Sequence, residues 1–399
     1  MAEIVNNRSM KWQRLQYFPG TGIGADGSRV TGSQAHIDLS REAAAEGMVL
    51  LKNDGLLPLC AEGQTIGVIG PNANSRRALI GNYHGTSDRY ITVLEGIQDY
   101  VGDGSRVLYA QGCDLFRNRD EPLAEADDRM AEALTVAECS DVVVLVLGLD
   151  ETLEGEQPDE GNTDGSDDKR SLLLPESQRK LMDRILALGK KTVVLLMAGS
   201  AIDMSAAEDK ANALLCTWYP GARGGKAVAE LLFGKVSPSG KLPVTFYRNE
   251  ALGEMPDFTD YSMRERTYRY YTGKPLYKFG FGLTYGITAV KSLRVEGLTA
   301  TVEVENSGSA DTEDVVQIYC KDELSPDAPV NPVLCGFKRV FLRAGENGQN
   351  LPGLVHLPGK CAHRLRKRDR RSVLRGQRRD PAGIPDADLP DRKLPEQKP

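Results

Sequence analysis

The chain has 399 residues, more than one ordinary hydrophobic core accommodates, and its 40% hydrophobic and 27% charged residues are usual for a globular protein of two domains. The net charge of −6 conceals an asymmetry: residues 360–379 hold ten Lys or Arg and one acidic residue, which leaves about −15 for everything else. The negative charge of the chain outside residues 360–379 argues against nucleic acid as a partner.

Cysteine usage and the N-terminal sequence bear on the cellular compartment. The seven cysteines are scattered, odd in number and without a C-x-x-C pair, which argues against a disulfide framework or a zinc site. The first residues lack the apolar core of a signal peptide, and no stretch approaches the ~20 apolar residues that span a bilayer. The sequence therefore predicts a cytoplasmic protein with no metal, no cofactor and no membrane partner.

The first elements in chain order are an irregular segment and a helix. Residues 1–37 are Gly-rich at their centre and lack sustained periodicity, as is typical of an irregular N-terminal segment. Residues 38–51 are predicted to form a helix, with Asp38 or Ser40 as its cap and with Asn53 opening the turn that stops it.

From Thr65 onward short apolar runs alternate with segments of helical spacing. Five strands separated by helix-length intervals predict a three-layer α/β/α sandwich with a mostly parallel sheet, within a domain spanning residues 38–250. The predicted strands are Thr65–Ile69, Arg106–Tyr109, Val142–Leu147, Thr192–Met197 and Ala213–Trp218, and the predicted helices are Asp120–Cys139, Pro175–Leu188 and Gly225–Phe233.

One strand of this sheet leads directly into an acidic loop. Val142–Leu147 is followed by a stretch from Asp150 to Asp168 with nine carboxylates in nineteen residues and no Lys or Arg. Ligands of open α/β sheets collect at the carboxyl ends of the strands, so a loop in this place favours chemistry over the alternative of a merely solvated acidic segment.

Two neighbouring loops are weaker candidates for ligand contact. Residues 70–73 follow the first predicted strand but have neither dinucleotide-binding nor P-loop spacing, so phosphate binding there is not favoured. Residues 81–85 offer Tyr83 and His84 between glycines, which suits stacking on a sugar, although an exposed turn is the simpler interpretation.

The pattern changes after residue 250. Residues 251–286 are dense in aromatics and are interpreted as a linker crossing the first domain, with a sugar-stacking platform as the alternative. Within residues 287–346, Thr299–Glu305 alternates apolar and polar side chains, which predicts the beginning of a β-sandwich.

Several segments resemble one enzyme family, glycoside hydrolase family 3, the β-glucosidase and β-xylosidase family. The acidic loop with its flanks is similar to the acid/base loop of that family, and six matching pieces occur in family order. They are EAAAEGMVLLKNDGLLPL at 42–59, GVIGPNA at 67–73, GNYHGTSDRYITVLEGI at 81–97, GLDETLEGE at 148–156 with DKRSLLLPESQRKLM at 168–182, LLCTWYPGARGGKAVAELLFGKVSPSGKLPVTF at 214–246 and YRYYTGKPLYKFGFGLTYG at 268–286.

The resemblance implies a fold and a function. Residues 38–250 would be the α/β/α sandwich domain carrying the acid/base loop, and residues 287–346 would be a partial fibronectin type III-like domain. The implied activity is retaining hydrolysis of terminal β-D-glycosyl residues, on a β-linked oligosaccharide or aryl glycoside, and the loops look closer to xylosidase-type members. Alignment leaves Glu154 and Glu156 as catalytic acid/base candidates, and an ungapped count from the strand end favours Glu154 slightly.

The family's Asp nucleophile belongs to a barrel that precedes this domain and has no counterpart in these residues. The chain is therefore expected to be inactive alone and to need a separate barrel domain as a partner, as in a truncated or split gene product. The alternatives are a non-catalytic carbohydrate- or partner-binding module and an unrelated nucleotide-binding α/β protein.

Residues 347–399 depart from the family pattern. They are rich in Arg and Pro and contain no period-two run, so the last strands of the sandwich are not expected there. The abrupt change in composition favours a shifted reading frame near codon 347 and a disordered tail, with a basic arm that binds nucleic acid or anionic membrane as the alternative.

Overall fold

A six-stranded sheet organises the first part of the molecule, in strand order β1-β6-β5-β4-β2-β3. Pairing is parallel from β2 to β6, and β1 runs antiparallel to β6 at one edge. The strands are β1 Val49–Asn53, β2 Thr65–Ile69, β3 Arg106–Ala110, β4 Val142–Gly148, β5 Lys191–Met197 and β6 Ala213–Cys216. The computed structural model describes residues 32–117, 127–155, 169–296, 299–322, 325–345, 349–356 and 375–376.

Helices cover both faces of this sheet. Val143, Leu145 and Leu147 of β4 face one apolar cluster, and the alternate residues of β4 face the other. Every residue of β4 is buried, as a central parallel strand requires. The helices are α1 Gln34–Gly47, α2 Arg77–Ile80, α3 Val93–Val101, α4 Asp128–Glu138, α5 Glu176–Ala187, α6 Ser205–Lys210, α7 Gly224–Leu232 and α8 Thr267–Tyr270, with a 3₁₀ helix at Asn249–Glu254.

The layers confirm the predicted α/β/α sandwich with a mostly parallel sheet. Helices α1, α3 and α7 contribute to the cluster on one face, and α4, α5 and α6 contribute to the cluster on the other. The five predicted strands are all present, each within two residues of its predicted bounds. Among the described residues, no helix is both long and apolar enough to cross a lipid bilayer.

The predicted helix over residues 38–51 is wrong at both ends. Helix α1 begins at Gln34 after an N-cap at Ser33 and ends at Gly47, and Val49–Asn53 forms a sixth strand. Val49 pairs with Cys216, and Met48, Val49 and Leu50 are buried. Burial and edge pairing with β6 outweighed the local helical preference on which the prediction relied.

The segment after β6 carries a mixture of buried and exposed aromatics. Leu283 donates its backbone N–H to Leu50 of β1 at 2.8 Å, and Phe246 and Tyr277 exchange backbone hydrogen bonds at 3.0 and 3.2 Å. Tyr277 is buried in the core, whereas Phe258 and Tyr261 are each 85% exposed.

A second compact unit begins at Gly286 and consists of antiparallel strands. Ala300, Val302 and Val304 are buried in its core, which matches the alternation in the sequence. One sheet has the order β11-β8-β7 and the other β10-β9-β12. The strands are β7 Thr288–Glu296, β8 Thr299–Asn306, β9 Thr312–Cys320, β10 Val333–Leu342, β11 Gln349–His356 and β12 Arg375–Gly376.

Two strands lie in the Arg/Pro-rich tail, where the sequence pattern did not predict any. Strand β11 pairs with β8 across a register shift between Leu351 and Val355, and β12 pairs with β9. Backbone pairing does not require apolar and polar side chains to alternate. A prediction based on that alternation therefore does not include β11 and β12. The shifted reading frame stays a hypothesis, and most of residues 357–399 lie outside the described residues.

Candidate functional site

The carboxyl ends of β4, β5 and β6 meet at one edge of the sheet. Gln178 of α5 terminates β4 there: it donates to the Gly148 carbonyl at 2.7 Å and accepts from the Gly148 N–H at 2.8 Å. The amide side chain thus makes the two backbone hydrogen bonds with Gly148 that a neighbouring strand would otherwise make. The chain can therefore leave the sheet directly after the buried strand and enter the acidic loop.

A tight turn at Asp150 sets the direction of this loop. The buried Asp150 carboxylate accepts hydrogen bonds from the Thr152 N–H at 2.9 Å and from the Thr152 hydroxyl at 2.6 Å. The Asp150 carbonyl accepts from the N–H groups of Leu153 and Glu154 at 3.0 and 2.9 Å. This single turn carries Glu154 back over the ends of β5 and β6.

The Glu154 carboxylate is held by four donors from three other segments. Its Oε2 accepts from the Gly199 N–H at 2.7 Å and from the Tyr219 hydroxyl at 2.5 Å. Its Oε1 accepts from the Ser200 hydroxyl and lies 3.3 Å from Lys169 Nζ, which also contacts Ser200 Oγ. Only 11% of the Glu154 side chain is exposed, so both oxygens are committed within the protein.

These donors control the charge of Glu154. Burial raises the pKa of its carboxyl, but the hydrogen bonds from Ser200 and Tyr219, the Lys169 charge and the Gly199 N–H together lower the pKa below its ordinary value. The groups that lower the pKa of Glu154 are hydrogen-bond donors and a cation from other segments of the chain. Its immediate neighbours are donors, so Glu154 is an anion at neutral pH.

Tyr219 is a permanent donor in this arrangement. Burial, followed by the charge of Glu154, raises the pKa of the Tyr219 hydroxyl far above its ordinary value. The phenol therefore keeps its proton and can donate to the Glu154 carboxylate wherever that carboxylate is charged.

The structure places only one of the two predicted catalytic residues. Glu154 lies at the sheet edge, and Glu156 lies outside the described residues. Sequence reasoning missed Lys169, Ser200 and Tyr219 as partners. Ser200 and Tyr219 each follow a predicted strand within a few residues. The tendency of ligand sites to lie at the carboxyl ends of strands, applied to every predicted strand, would therefore have identified them.

The two weaker candidate loops have different environments. In the loop at residues 70–73, a side chain on Gly70 would meet the Val146 carbonyl, and Asn72 is buried and donates to the Leu149 carbonyl at 3.0 Å, so this loop packs β2 against β4. In the other loop, Gly81 lies against the Tyr219 ring, while Tyr83 is 79% exposed. The start of this loop therefore contacts Tyr219, which in turn donates to Glu154.

Metal ligation has no support in the part of the chain that the structure describes. No group of three or more His, Cys, Asp or Glu side chains there is arranged to hold a metal ion.

The fold and this edge define an α/β domain with a carboxylate site at the strand ends, followed by a small antiparallel unit. Residues 48–285 match the glycosyl hydrolase family 3 C-terminal domain. The chain belongs to this family, which confirms the resemblance seen in the sequence and sets aside an unrelated nucleotide-binding protein.

Individual relatives agree with this assignment. The chain is 35% identical over 351 residues to a periplasmic β-glucosidase of Salmonella typhimurium, and 34% identical over 339 residues to a β-xylosidase of Formosa agariphila. Each alignment covers 79% of this chain and 44% of the relative. The chain thus spans less than half the length of the relatives it matches.

Solved structures show the same relationship. A family 3 exo-β-xylosidase in complex with a xylobiose aziridine activity-based probe superimposes with a TM-score of 0.72 and 30% identity, covering 85% of this chain and 46% of that one. A family 3 β-glucosidase from Bifidobacterium adolescentis superimposes with a TM-score of 0.70 and 30% identity, covering 85% and 50%.

Proposed function

We propose that this chain supplies the acid/base part of a retaining β-glycosidase that removes terminal β-linked glucosyl or xylosyl residues. The observation that carries the proposal is the carboxylate loop at the ends of β4, β5 and β6 in a chain of family 3. The names of the relatives, β-glucosidase and β-xylosidase, support the substrate class.

Retaining hydrolysis requires two carboxyl groups about 5 to 5.5 Å apart. One protonates the leaving oxygen and later removes a proton from water, and the other attacks the anomeric carbon. The loop after β4 would provide the first. We infer that the second is an aspartate of a separate barrel domain, so that this chain turns over substrate only with that partner.

The contacts of Glu154 bear on which carboxyl transfers the proton. An acid must hold a proton before the first step, yet Glu154 is surrounded by donors that favour its anion. Its two oxygens are also occupied by Gly199, Ser200, Lys169 and Tyr219. We therefore assign the proton transfer to Glu156, although the ungapped count from the strand end favours Glu154. We assign to Glu154 the role of anchoring the loop at a position two residues before Glu156.

An assay with matched variants tests this division of roles. The chain, mixed with a separately expressed family 3 barrel domain, is expected to hydrolyse 4-nitrophenyl β-D-glucoside or β-D-xyloside. Glu156→Gln is expected to lower kcat by about 10²- to 10⁴-fold, the usual contribution of general acid–base catalysis. Because a small nucleophile bypasses the missing base, azide should restore turnover to Glu156→Gln but not to Glu154→Gln.

Glu138→Gln serves as the control, because Glu138 is exposed at the end of α4 before the opposite end of β4. If azide instead restored turnover to Glu154→Gln, the proton transfer would be assigned to Glu154. Binding of a xylo- or gluco-oligosaccharide without turnover by any mixture would favour the non-catalytic carbohydrate-binding module.

A further inference from the structure

A strained turn directly after β6 presents one of the four donors to Glu154. Trp218 has a φ of +56°, in the left-handed region that side-chain-bearing residues rarely adopt. The surroundings hold it there: Trp218 Nε1 donates to the Gly47 carbonyl at 3.1 Å, and its ring packs edge-on against Phe246 at 6.0 Å. Such strain persists only where neighbouring contacts enforce it, and it concentrates at functional sites.

The residue that follows this turn fits into space left by two glycines. A Cβ on Gly81 would lie 2.5 Å from the Tyr219 ring, and a Cβ on Gly199 would lie 2.9 Å from it. The Cδ2–Cε2 edge of the ring thus lies against two backbone positions at which a residue larger than glycine would clash with it. Its hydroxyl donates to Glu154 Oε2, the oxygen that also accepts from the Gly199 N–H.

We infer that Tyr219 is a positioning residue for the acid/base loop: the turn at Trp218 and the glycines at 81 and 199 fix its ring, and its hydroxyl fixes the Glu154 carboxylate. This inference rests on the proposed function for its catalytic consequence. The physical arrangement on which it depends is measurable in this chain alone. Tyr219 acts through Glu154 and need not touch substrate.

The charged and titratable groups around Glu154 come from each neighbouring element. Lys169 lies just after the acidic loop, Asp150 at its start, and Cys216 at the end of β6. Lys169 favours the Glu154 anion. Removing the Tyr219 hydroxyl leaves all of these groups in place, so any change in Glu154 reports on that one hydrogen bond.

Two variants perturb Tyr219 in different ways. Tyr219→Phe deletes the hydroxyl and keeps the ring. Gly199→Ala keeps the hydroxyl but places a methyl group 2.9 Å from the ring and 3.2 Å from Glu154 Oε2, which pushes the two apart. Tyr285→Phe is the control for the first, since Tyr285 donates to the Leu231 carbonyl at 2.7 Å. Gly253→Ala is the control for the second, since a Cβ there meets nothing within 4 Å.

The first measurement is the titration of Glu154 in the isolated chain, followed by ¹³C NMR of labelled Glu carboxyls and assigned by the signal lost in Glu154→Gln. The pKa of Glu154 is expected to rise in Tyr219→Phe and in Gly199→Ala, and to stay at the wild-type value in both controls. An unchanged pKa in Tyr219→Phe overturns the inference whatever the activity, and so does an equal rise in Tyr285→Phe.

The second measurement is turnover with the barrel domain. A misplaced loop should lower kcat by about tenfold or more, the equivalent of losing one charge-assisted hydrogen bond, with KM changed less than about threefold. Equal kcat values for wild type and Tyr219→Phe would contradict the inference. Absence of turnover in the wild type would instead contradict the proposed function, and the NMR titration then still decides the role of Tyr219.

Discussion

Two buried carboxylates in the α/β unit differ in how the protein keeps them charged. Glu230 of α7 has 1% of its side chain exposed, and it pairs with two cations, Arg41 of α1 and Lys235. Glu154 lies at the strand ends and accepts from two hydroxyls and a backbone N–H, with a single cation beside it.

The difference separates a carboxylate that joins helices from one that positions a loop. Ion pairs act over several ångströms and tolerate small shifts of α1 against α7. Hydrogen bonds from neutral donors depend on distance and angle, so they define where Glu154 lies to within a few tenths of an ångström. We therefore expect Glu230 to matter chiefly for stability and Glu154 chiefly for the geometry of the site.

The largest expected effect on stability is that of Glu230→Ala. Removing Glu230 leaves the partly buried Arg41, 23% exposed, without its carboxylate, which should cost about 3 kcal/mol, the lower end of the range for a buried pair. Urea denaturation of the isolated chain should show this loss in the free energy of unfolding. Glu138→Ala, at an exposed helix end, is the comparison and should change stability by less than about 0.5 kcal/mol. Equal losses in the two variants would remove the distinction between Glu230 and a surface glutamate.

An intermediate effect is expected for Glu154→Gln, and its pH dependence is diagnostic. The loss of charge-assisted hydrogen bonds should cost about 2 kcal/mol at pH 7. Since the folded-state pKa of Glu154 is lowered, the stability that its charge provides is complete above the ordinary glutamate pKa and is lost as the pH falls through the folded value.

Denaturation of wild type and Glu154→Gln at a series of pH values checks this sign. The difference in unfolding free energy between the two should be constant from pH 7 down to about pH 5 and should shrink below about pH 4, where free glutamate is protonated. A difference that grew on acidification would mean that the environment favours the protonated carboxyl, and the acid role would return to Glu154.

The smallest effect is expected for Lys235→Met. The Lys235 side chain is 56% exposed, and Arg41 would still pair with Glu230 in its absence. Exposed ion pairs contribute about 0 to 1 kcal/mol, so the unfolding free energy should fall by less than about 1 kcal/mol. A loss close to that of Glu230→Ala would show that Lys235, rather than Arg41, neutralises the buried carboxylate.

The positions of the strands could be predicted because their signal is local. Val142–Leu147 and Thr192–Met197 are apolar runs too short for a helix, and both are central parallel strands. Strand β1 was included in the predicted helix, although Gly47 ends that helix two residues before Val49, because its pairing with β6 is a contact between residues far apart along the chain. A local sequence pattern does not show which edge strand of a sheet is available for pairing.

The site was predictable only in part for the same reason. The acidic loop after β4 marks Glu154 and Glu156 as candidates, but the loop does not reveal that Ser200 and Tyr219, 46 and 65 residues after Glu154, donate to it. The lowered pKa of Glu154 could not be predicted, because it depends on these distant donors and on Lys169 and not on the carboxylates nearby in sequence.

The amino-acid sequence by itself determined the family, the alternation of buried strands and helices, and the loop that carries the carboxylates, since each depends on residues close together along the chain. The tertiary structure alone decided the charge of Glu154 and the donors that hold it. Those properties arise where the ends of separate strands converge, and hydrogen bonding and desolvation act between neighbours in space.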